Sequence, residues 1–245
     1  MVEDKIDQGT VITENISSSD PRTIFPLQAA LGWTIAQNLF ISERNLLVEG
    51  PSDLIYLKTI SGVLEKAGRT ALRDDITIVP TGGLEKVVTF IALLGASGLK
   101  LAVFHDHHGT PEQSLMDLVK QKMISAKAIL NASQFRDVTK IGTTGQPSDT
   151  EDLFDSDLYV DYFNKAYERE HKGAKLEAKA LPKGDRIIER IERHLKEKSI
   201  TVRPSGGFNH YLPASAFATD PPAKLDDDTL QRFESLFKTV NELFA

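Results

Sequence analysis

The chain has 245 residues, 40% of them hydrophobic, which is enough for one large domain or two small ones with a substantial core. Its formal net charge of −6 excludes a uniformly basic surface for nucleic acid, although a local basic strip would still fit. The absence of cysteine excludes disulfides and thiolate metal sites and favours a reducing compartment. The polar N-terminus is no secretory signal and the longest apolar region is interrupted, so we expect a cytoplasmic protein without a membrane span.

After a polar lead-in at residues 1–22, segments with strand and helix patterns alternate along the chain. Short apolar runs predict strands at residues 45–49, 76–80 and 99–106, with weaker candidates at 128–133 and 137–142. Helical spacing of apolar residues predicts helices at 27–42, 52–68, 84–98 and 111–127. Because the strands lack polar alternation and are separated by helices, we predict an α/β fold with a parallel sheet flanked by helices.

The C-terminal half is more helical and more charged. Residues 152–199 read as helical, and residues 165–203 hold twelve Lys or Arg against seven Asp or Glu. Within them, four apolar side chains recur on one helical face: Ile187, Ile188, Ile191 and Leu195. This pattern predicts a helical subdomain beside the sheet. The residues that follow, 200–217, read as strand and turn, and an amphipathic helix with an acidic N-terminus closes the chain.

Carboxylates follow the predicted strands. Glu49 ends the first strand, Asp53 lies in the next helical turn, and Asp106 ends the third strand. Asp149 and Glu151 follow the fourth strand candidate. In open parallel sheets ligands bind beyond the carboxyl ends of the strands, so these side chains are expected to gather at one edge. Crowded carboxylates repel one another unless cations lie between them, and oxygen ligands suit Mg²⁺ or Mn²⁺ better than zinc.

Each of these residues also has a plainer interpretation. Asp53 could be only a charge that the helix dipole favours, and Ser148 with Glu151 has the spacing of a helix capping box. The three histidines after the third strand, His105, His107 and His108, could be surface residues. The indication of a metal site therefore comes from the ordered set and not from any single member.

Five motifs in chain order carry a family resemblance: "LLVEGPSD", "VPTGGLEKV", "DTEDLF", "KGDRIIERI" and "FNHYLPASAF". Together they resemble the Toprim region of the OLD (overcoming lysogenisation defect) family of nucleases, and its class 2 members in particular. The resemblance implies a Toprim-type sheet and a DNA nuclease that uses two divalent cations, Mg²⁺ or Mn²⁺. For such an enzyme, our candidate metal ligands are Glu49, Asp53, Asp106, His108, Ser148, Asp149 and Glu151, and our candidate catalytic residues are Glu49, Asp53, Asp106 and Lys183.

The resemblance also implies a domain organisation. Residues 1–44 would be a lead-in with a helix, 45–154 the Toprim catalytic core, 155–199 the helical subdomain, and 200–245 a return to the core with a C-terminal helix. Full OLD proteins carry an ABC-type ATPase, and the phosphate-binding G-x-x-x-x-G-K-[ST] motif does not occur here. We therefore expect that this chain is the C-terminal part of a longer protein, in which an ATPase domain is a partner of the Toprim region. The sequence leaves the oligomeric state open.

One residue departs from the family pattern. Toprim domains usually have Asp-x-Asp after the third strand, and here His108 stands in the second position. Either its imidazole shifts the metal preference towards Mn²⁺, or Asp149 or Glu151 supplies the missing ligand, which we favour. The "DHHG" sequence also resembles DHH phosphoesterases, but that family needs an earlier His and Asp-x-Asp cluster, and His105 is the first histidine.

Lys183, with Arg186 nearby, is our candidate for a cation that stabilises the charge developing on a phosphate during cleavage. It could also be an ordinary lysine at the start of a helix. Thr81-Gly82-Gly83 could offer backbone N–H groups to a phosphate, or form a simple turn. The basic strip, residues 165–203, would hold DNA through phosphate contacts, or be an ordinary solvated helix face. The main alternative to a nuclease is a Toprim-like module that binds DNA or a partner without cutting.

Overall fold

The computed structural model describes residues 2–5, 9–12, 43–94, 98–171 and 175–245, the first two segments as backbone. The helix predicted at 27–42 lies outside the described residues. Within the lead-in, where we expected no regular structure, β1 (Val2–Lys5) and β2 (Gly9–Ile12) pair antiparallel. Among the described residues no helix is both long enough and apolar enough to cross a membrane.

A parallel sheet forms the centre of the described fold. It contains β3 (Arg44–Val48), β4 (Ile76–Pro80), β5 (Lys100–His105) and β6 (Ile129–Asn131), in the spatial order β4-β3-β5-β6. Leu46, Leu47 and Val48 of β3 are fully shielded from solvent, because helices cover both faces of the sheet. This accounts for the continuous apolar runs and confirms the predicted parallel α/β arrangement.

The helices in the described part of the chain are α1 (Pro51–Lys66), α2 (Leu84–Leu94), α3 (Gln113–Lys120), α4 (Ser133–Arg136), α5 (Ser156–Ala166), α6 (Ile187–Glu197), α7 (Tyr211–Thr219) and α8 (Asp227–Leu243). The predicted apolar face of α6 is confirmed, since Ile187, Ile188, Ile191 and Leu195 are all buried. The last helix is capped by Asp226, whose carboxylate accepts the Thr229 N–H at 2.8 Å.

Two strand predictions are wrong. Residues 137–142 form turns, in which the Asp137 carboxylate accepts the Thr139 N–H at 2.9 Å and its hydroxyl at 2.6 Å. Such a local side-chain bond offers the backbone an alternative to pairing in a sheet. Residues 200–210 are irregular, and the segment after them is α7, with Pro213 in the first helical turn, where its missing N–H costs nothing.

The C-terminal helices pack on the sheet domain through one aromatic cluster. Tyr56 of α1 contacts Phe154 with ring centroids 4.9 Å apart, and Phe154 contacts Phe217 of α7 at 5.2 Å and Phe233 of α8 at 4.9 Å. Burying rings of this size contributes roughly 1.5–3 kcal/mol each. The C-terminal segment therefore shares a core with the sheet and fixes the position of α1, which begins at the edge where the carboxylates lie. The domain boundaries given above stay a prediction.

Candidate metal centre

Glu49 and Asp106 meet at the carboxyl edge of the sheet. Their strands are neighbours in register, with Val48 of β3 opposite Phe104 of β5, so the residues after each strand lie side by side. The Asp106 backbone N–H donates to Glu49 Oε1 at 3.1 Å. Parallel pairing thus brings together two carboxylates that are 57 residues apart in the chain.

Asp53 is held at the same edge by the first turn of α1. Gly50 caps this helix and Pro51 occupies its first turn, where the fixed φ of proline suits helix initiation. The Gly50 N–H donates to Asp53 Oδ2 at 2.8 Å. Asp53 therefore lies in the first helical turn, where the plainer interpretation puts it, and it also lines the pocket beside Glu49.

A short 3-10 helix, Thr150–Leu153, carries the next two carboxylates to this edge. His107 and Ser148 exchange two backbone hydrogen bonds of 2.8 Å, which join the segment to the end of β5. The Thr150 N–H then donates to Asp106 Oδ1 at 2.9 Å. Asp149 and Glu151, on either side of Thr150, are both buried and both line the pocket.

The capping box of this segment lies one residue later than the sequence suggests. Asp149 is the N-cap residue, and the Asp152 carboxylate accepts the Asp149 N–H at 2.8 Å. The pair is therefore Asp149 with Asp152 and not Ser148 with Glu151. As a result the Glu151 carboxylate is not used for capping and faces the pocket.

The structure does not bring Ser148 to the pocket with the carboxylates. The Ser148 hydroxyl donates to the Gln146 carbonyl at 3.0 Å and accepts a hydrogen bond from Arg136 Nη1 at 3.2 Å. His108, in contrast, does line the pocket, with Nε2 3.7 Å from Asp149 Oδ1. Asp149 therefore lies beside His108, which stands where the Asp-x-Asp pattern has its second Asp.

These side chains surround an open pocket of about 410 Å³. Ligand atoms of Asp106, His108 and Asp149 lie within 4.8 Å of one another, which is close enough for one ion to contact all three. Glu49, Asp53 and Glu151 line the same pocket. A donor set of carboxylate oxygens with a single imidazole fits a divalent cation of the Mg²⁺ or Mn²⁺ type.

Burial raises the pKa of several of these carboxyl groups. Burial raises the pKa of Glu49 to about 7, although the hydrogen bond from the Asp106 N–H acts to lower it. Burial, followed by the negative charge of Asp53, raises the pKa of Asp106 and Glu151 well above the usual range. The clustered negative charge therefore carries a free-energy cost, which a bound divalent cation would remove.

Arg186, and not Lys183, brings a basic side chain into the pocket. Arg186 Nη1 lies 3.0 Å from Asp149 Oδ1, and it is the sole Lys or Arg among the described residues that line the pocket. Lys183 is exposed and lies outside this lining, and its carbonyl accepts a hydrogen bond from Arg193.

The Gly82 and Gly83 N–H groups are already engaged. Both donate to the Glu49 carbonyl at 2.8 Å, so they brace the end of β3 and are not directed at a ligand. Of the three histidines at the end of β5 and just after it, only His108 lines the pocket; His107 is buried and bridges through its backbone to Ser148. This arrangement favours the Toprim interpretation over the DHH one.

The far wall of the pocket was not anticipated from the sequence. It consists of Glu189 and Glu192 on α6 and His210 just before α7. His210 Nδ1 lies 4.0 Å from Glu151 Oε1, and burial lowers its pKa. The charged face of α6 was the available signal, but it could equally belong to a solvated helix face.

Several basic residues of the strip 165–203 are bound within the protein. Arg190 donates to the carbonyls of Pro182 and Ala178 at 2.9 and 3.0 Å, and Lys165 Nζ lies 3.1 Å from Asp220 Oδ2. These contacts reduce the number of cations that the strip could offer to DNA.

Comparison with known protein families agrees with the fold. Residues 40–107 match the sequence family described as "Overcoming lysogenization defect protein-like, TOPRIM domain". The matched segment runs from just before β3 to His107 and includes Glu49, Asp53 and Asp106, and a match to this family indicates a metal-binding module of nuclease type. No curated protein matches the chain.

Proposed function

We propose that this chain, whose residues 40–107 match an OLD-like Toprim domain, is the catalytic part of a divalent-metal-dependent DNA endonuclease. The observation that carries the proposal is the meeting of Glu49 and Asp106 through a 3.1 Å hydrogen bond, with Asp53, Asp149 and Glu151 lining the same pocket. Buried carboxylates gathered from separate segments are costly unless a cation is bound, so an arrangement of this kind is expected where binding or catalysis requires it.

The proposed ligands of two ions are Glu49, Asp53, Asp106, Asp149 and Glu151. When bound, Mg²⁺ or Mn²⁺ supplies Lewis acidity, which activates a water and stabilises the leaving oxygen of a phosphodiester. Asp149 fills the place of the absent second Asp, and His108 remains a possible further ligand that would favour Mn²⁺.

The protein's own contribution is to hold these oxygens in place. Each of three carboxylates accepts a backbone N–H: Glu49 from Asp106, Asp106 from Thr150, and Asp53 from Gly50. The donors belong to the ends of regular elements, so the carboxylates are fixed before any ligand arrives. Such pre-organisation lowers the cost of reaching a reactive geometry.

DNA is the proposed partner. Exposed basic residues of the strip 165–203 would contact phosphates, and Lys183, which is exposed and outside the pocket lining, is retained as a proposed phosphate contact. An ATPase domain in the full-length protein is a further proposal that rests on the family resemblance alone.

The test is nicking of supercoiled plasmid by the purified chain with Mn²⁺, Mg²⁺ or EDTA. We expect relaxed and linear products with metal and none with EDTA, and we expect Glu49→Gln to abolish them while its circular dichroism spectrum stays native. Cleavage that survives both EDTA and Glu49→Gln would contradict the proposal.

His108 gives weight to a second candidate, a Toprim module that binds DNA without cutting it, because the usual second Asp is missing. Metal-dependent DNA binding without products at any metal concentration would favour that module.

A further inference from the structure

Arg186 occupies an unusual position for a cation in a metal-binding pocket. It is the N-cap residue of α6, and the next backbone N–H, that of Ile187, donates to Asp152 Oδ1 at 2.8 Å. That bond fixes the backbone at the pocket wall. The Arg186 side chain itself is about one-quarter exposed, so it has room to move at the mouth of the pocket.

Its guanidinium lies between two acids. Arg186 Nη1 is 3.0 Å from Asp149 Oδ1, and Arg186 Nη2 is 3.8 Å from Glu189 Oε2. Asp149 is nearly completely buried, whereas Glu189 is about half exposed. A rotation of the long side chain would exchange the buried partner for the exposed one.

Asp149 also belongs to the candidate ligand group with Asp106 and His108, and its Oδ1, which Arg186 contacts, lies 3.7 Å from His108 Nε2. A divalent ion at that group would lie close to the guanidinium. Two cations a few ångströms apart in a partly buried site repel each other, because little solvent lies between them to screen their charges. Arg186 in its observed position and an ion at this group therefore compete for Asp149.

We propose that Arg186 is a displaceable internal cation, which neutralises Asp149 in the metal-free pocket and moves towards Glu189 when a divalent ion binds. The second half of the proposal rests on the proposed nuclease function. In the displaced position the guanidinium contacts a non-bridging oxygen of the DNA phosphate at the pocket mouth, an interaction that its planar donors suit better than a lysine ammonium would.

The first test needs no DNA. Mn²⁺ is titrated calorimetrically into the whole chain, its Arg186→Gln variant and an Arg73→Gln control, in which the lost guanidinium pairs with Asp75 outside the pocket. We expect Arg186→Gln to bind Mn²⁺ roughly tenfold more tightly because a competing cation is gone, and Arg73→Gln to match wild type. Weaker or unchanged Mn²⁺ binding by Arg186→Gln would overturn the competition, since Arg186 would then only hold Asp149 in place.

The second test is plasmid nicking at saturating Mn²⁺. We expect Arg186→Gln to lower kcat by about a hundredfold, with Arg186→Lys intermediate and Arg73→Gln unchanged. Wild-type kcat in Arg186→Gln would overturn the phosphate contact. If wild type itself does not cut, the nuclease proposal and this contact both fail, while the Mn²⁺ titration still decides whether Arg186 competes with the ion.

Discussion

Asp106 donates its backbone N–H to the Glu49 carboxylate at 3.1 Å, so the ends of two neighbouring parallel strands are linked by one acid binding the other's backbone. The bond can form because β3 and β5 pair in register up to Val48 and Phe104. It orients Glu49 towards the pocket without using the Asp106 carboxylate, which instead accepts the Thr150 N–H and lines the pocket.

Replacing Glu49 by Gln is expected to separate metal binding from folding. The amide keeps an oxygen that can accept the Asp106 N–H, but it removes a charge that burial already disfavours, as the pKa of about 7 indicates. Without metal, the variant should unfold at the same temperature as wild type or a few degrees higher. With Mn²⁺, wild type should be stabilised and the variant should not, a difference that thermal denaturation with EDTA or Mn²⁺ measures. If Mn²⁺ raised the unfolding temperature equally in both proteins, Glu49 would not be a metal ligand.

The stability of the metal-free protein should fall as the pH rises from about 7 to 8. This range lies above the ordinary histidine pKa of 6.5, so buried histidines such as His105, whose pKa burial lowers to about 4, are mostly neutral in both folded and unfolded chains. Burial raises the pKa of Glu49 to about 7 and of Asp152 to about 6, so the folded chain holds protons that the unfolded chain has lost. The free energy of unfolding then decreases with rising pH.

Urea denaturation in EDTA at several pH values measures this slope. Saturating Mn²⁺ should remove or reverse it, because the ion requires the deprotonated carboxylates. Glu49→Gln should flatten the slope in EDTA. A metal-free stability that rises between pH 7 and 8 would show that these groups are ionised in the folded protein.

Asp152 is expected to act on the metal site through Asp149. Its carboxylate accepts the N–H groups of Asp149 and Ile187, both at 2.8 Å, and so joins the 3-10 helix to α6. Asp152→Asn can keep one of these bonds at full strength but not both, and we expect Mn²⁺ affinity to fall by roughly 10–100-fold, as for other groups that orient metal ligands. Calorimetric titration measures this, and wild-type affinity would mean that Asp149 keeps its place without Asp152.

Ser148→Ala, in contrast, is expected to leave Mn²⁺ binding unchanged. The family resemblance implies a metal ligand here, but the hydroxyl is engaged with Gln146 and Arg136. The variant should lose about 1 kcal/mol of stability through these hydrogen bonds and keep wild-type Mn²⁺ affinity. A clear loss of affinity would return Ser148 to the ligand set.

The sheet and the meeting of its carboxylates could be predicted because both depend on short-range pattern. The apolar runs of β3, β4 and β5 are nearly continuous, whereas a strand with one exposed face would alternate apolar and polar residues. The parallel order of these strands places Glu49 and Asp106 at one edge of the sheet. Residues 137–142 could not be judged in the same way, because the Asp137 side chain satisfies the local backbone and prevents pairing.

The residues that form the capping box also could not be predicted from the sequence. Ser148 with Glu151 and Asp149 with Asp152 have the same spacing, and the bridge between His107 and Ser148 helps to fix the segment in which the second pair forms. The far wall of the pocket is a tertiary feature, since α6 and His210 reach it from the other half of the chain. Arg186 was noticed only as a neighbour of Lys183, although it is Arg186 that enters the pocket.

Anomalous diffraction at the manganese edge from a crystal grown with Mn²⁺ would show whether divalent ions bind among the carboxylates. We expect strong peaks in the pocket, in contact with oxygens of Glu49, Asp53, Asp106, Asp149 and Glu151. Peaks confined to other surfaces, or a pocket without any peak at Mn²⁺ concentrations that support cleavage, would contradict this expectation.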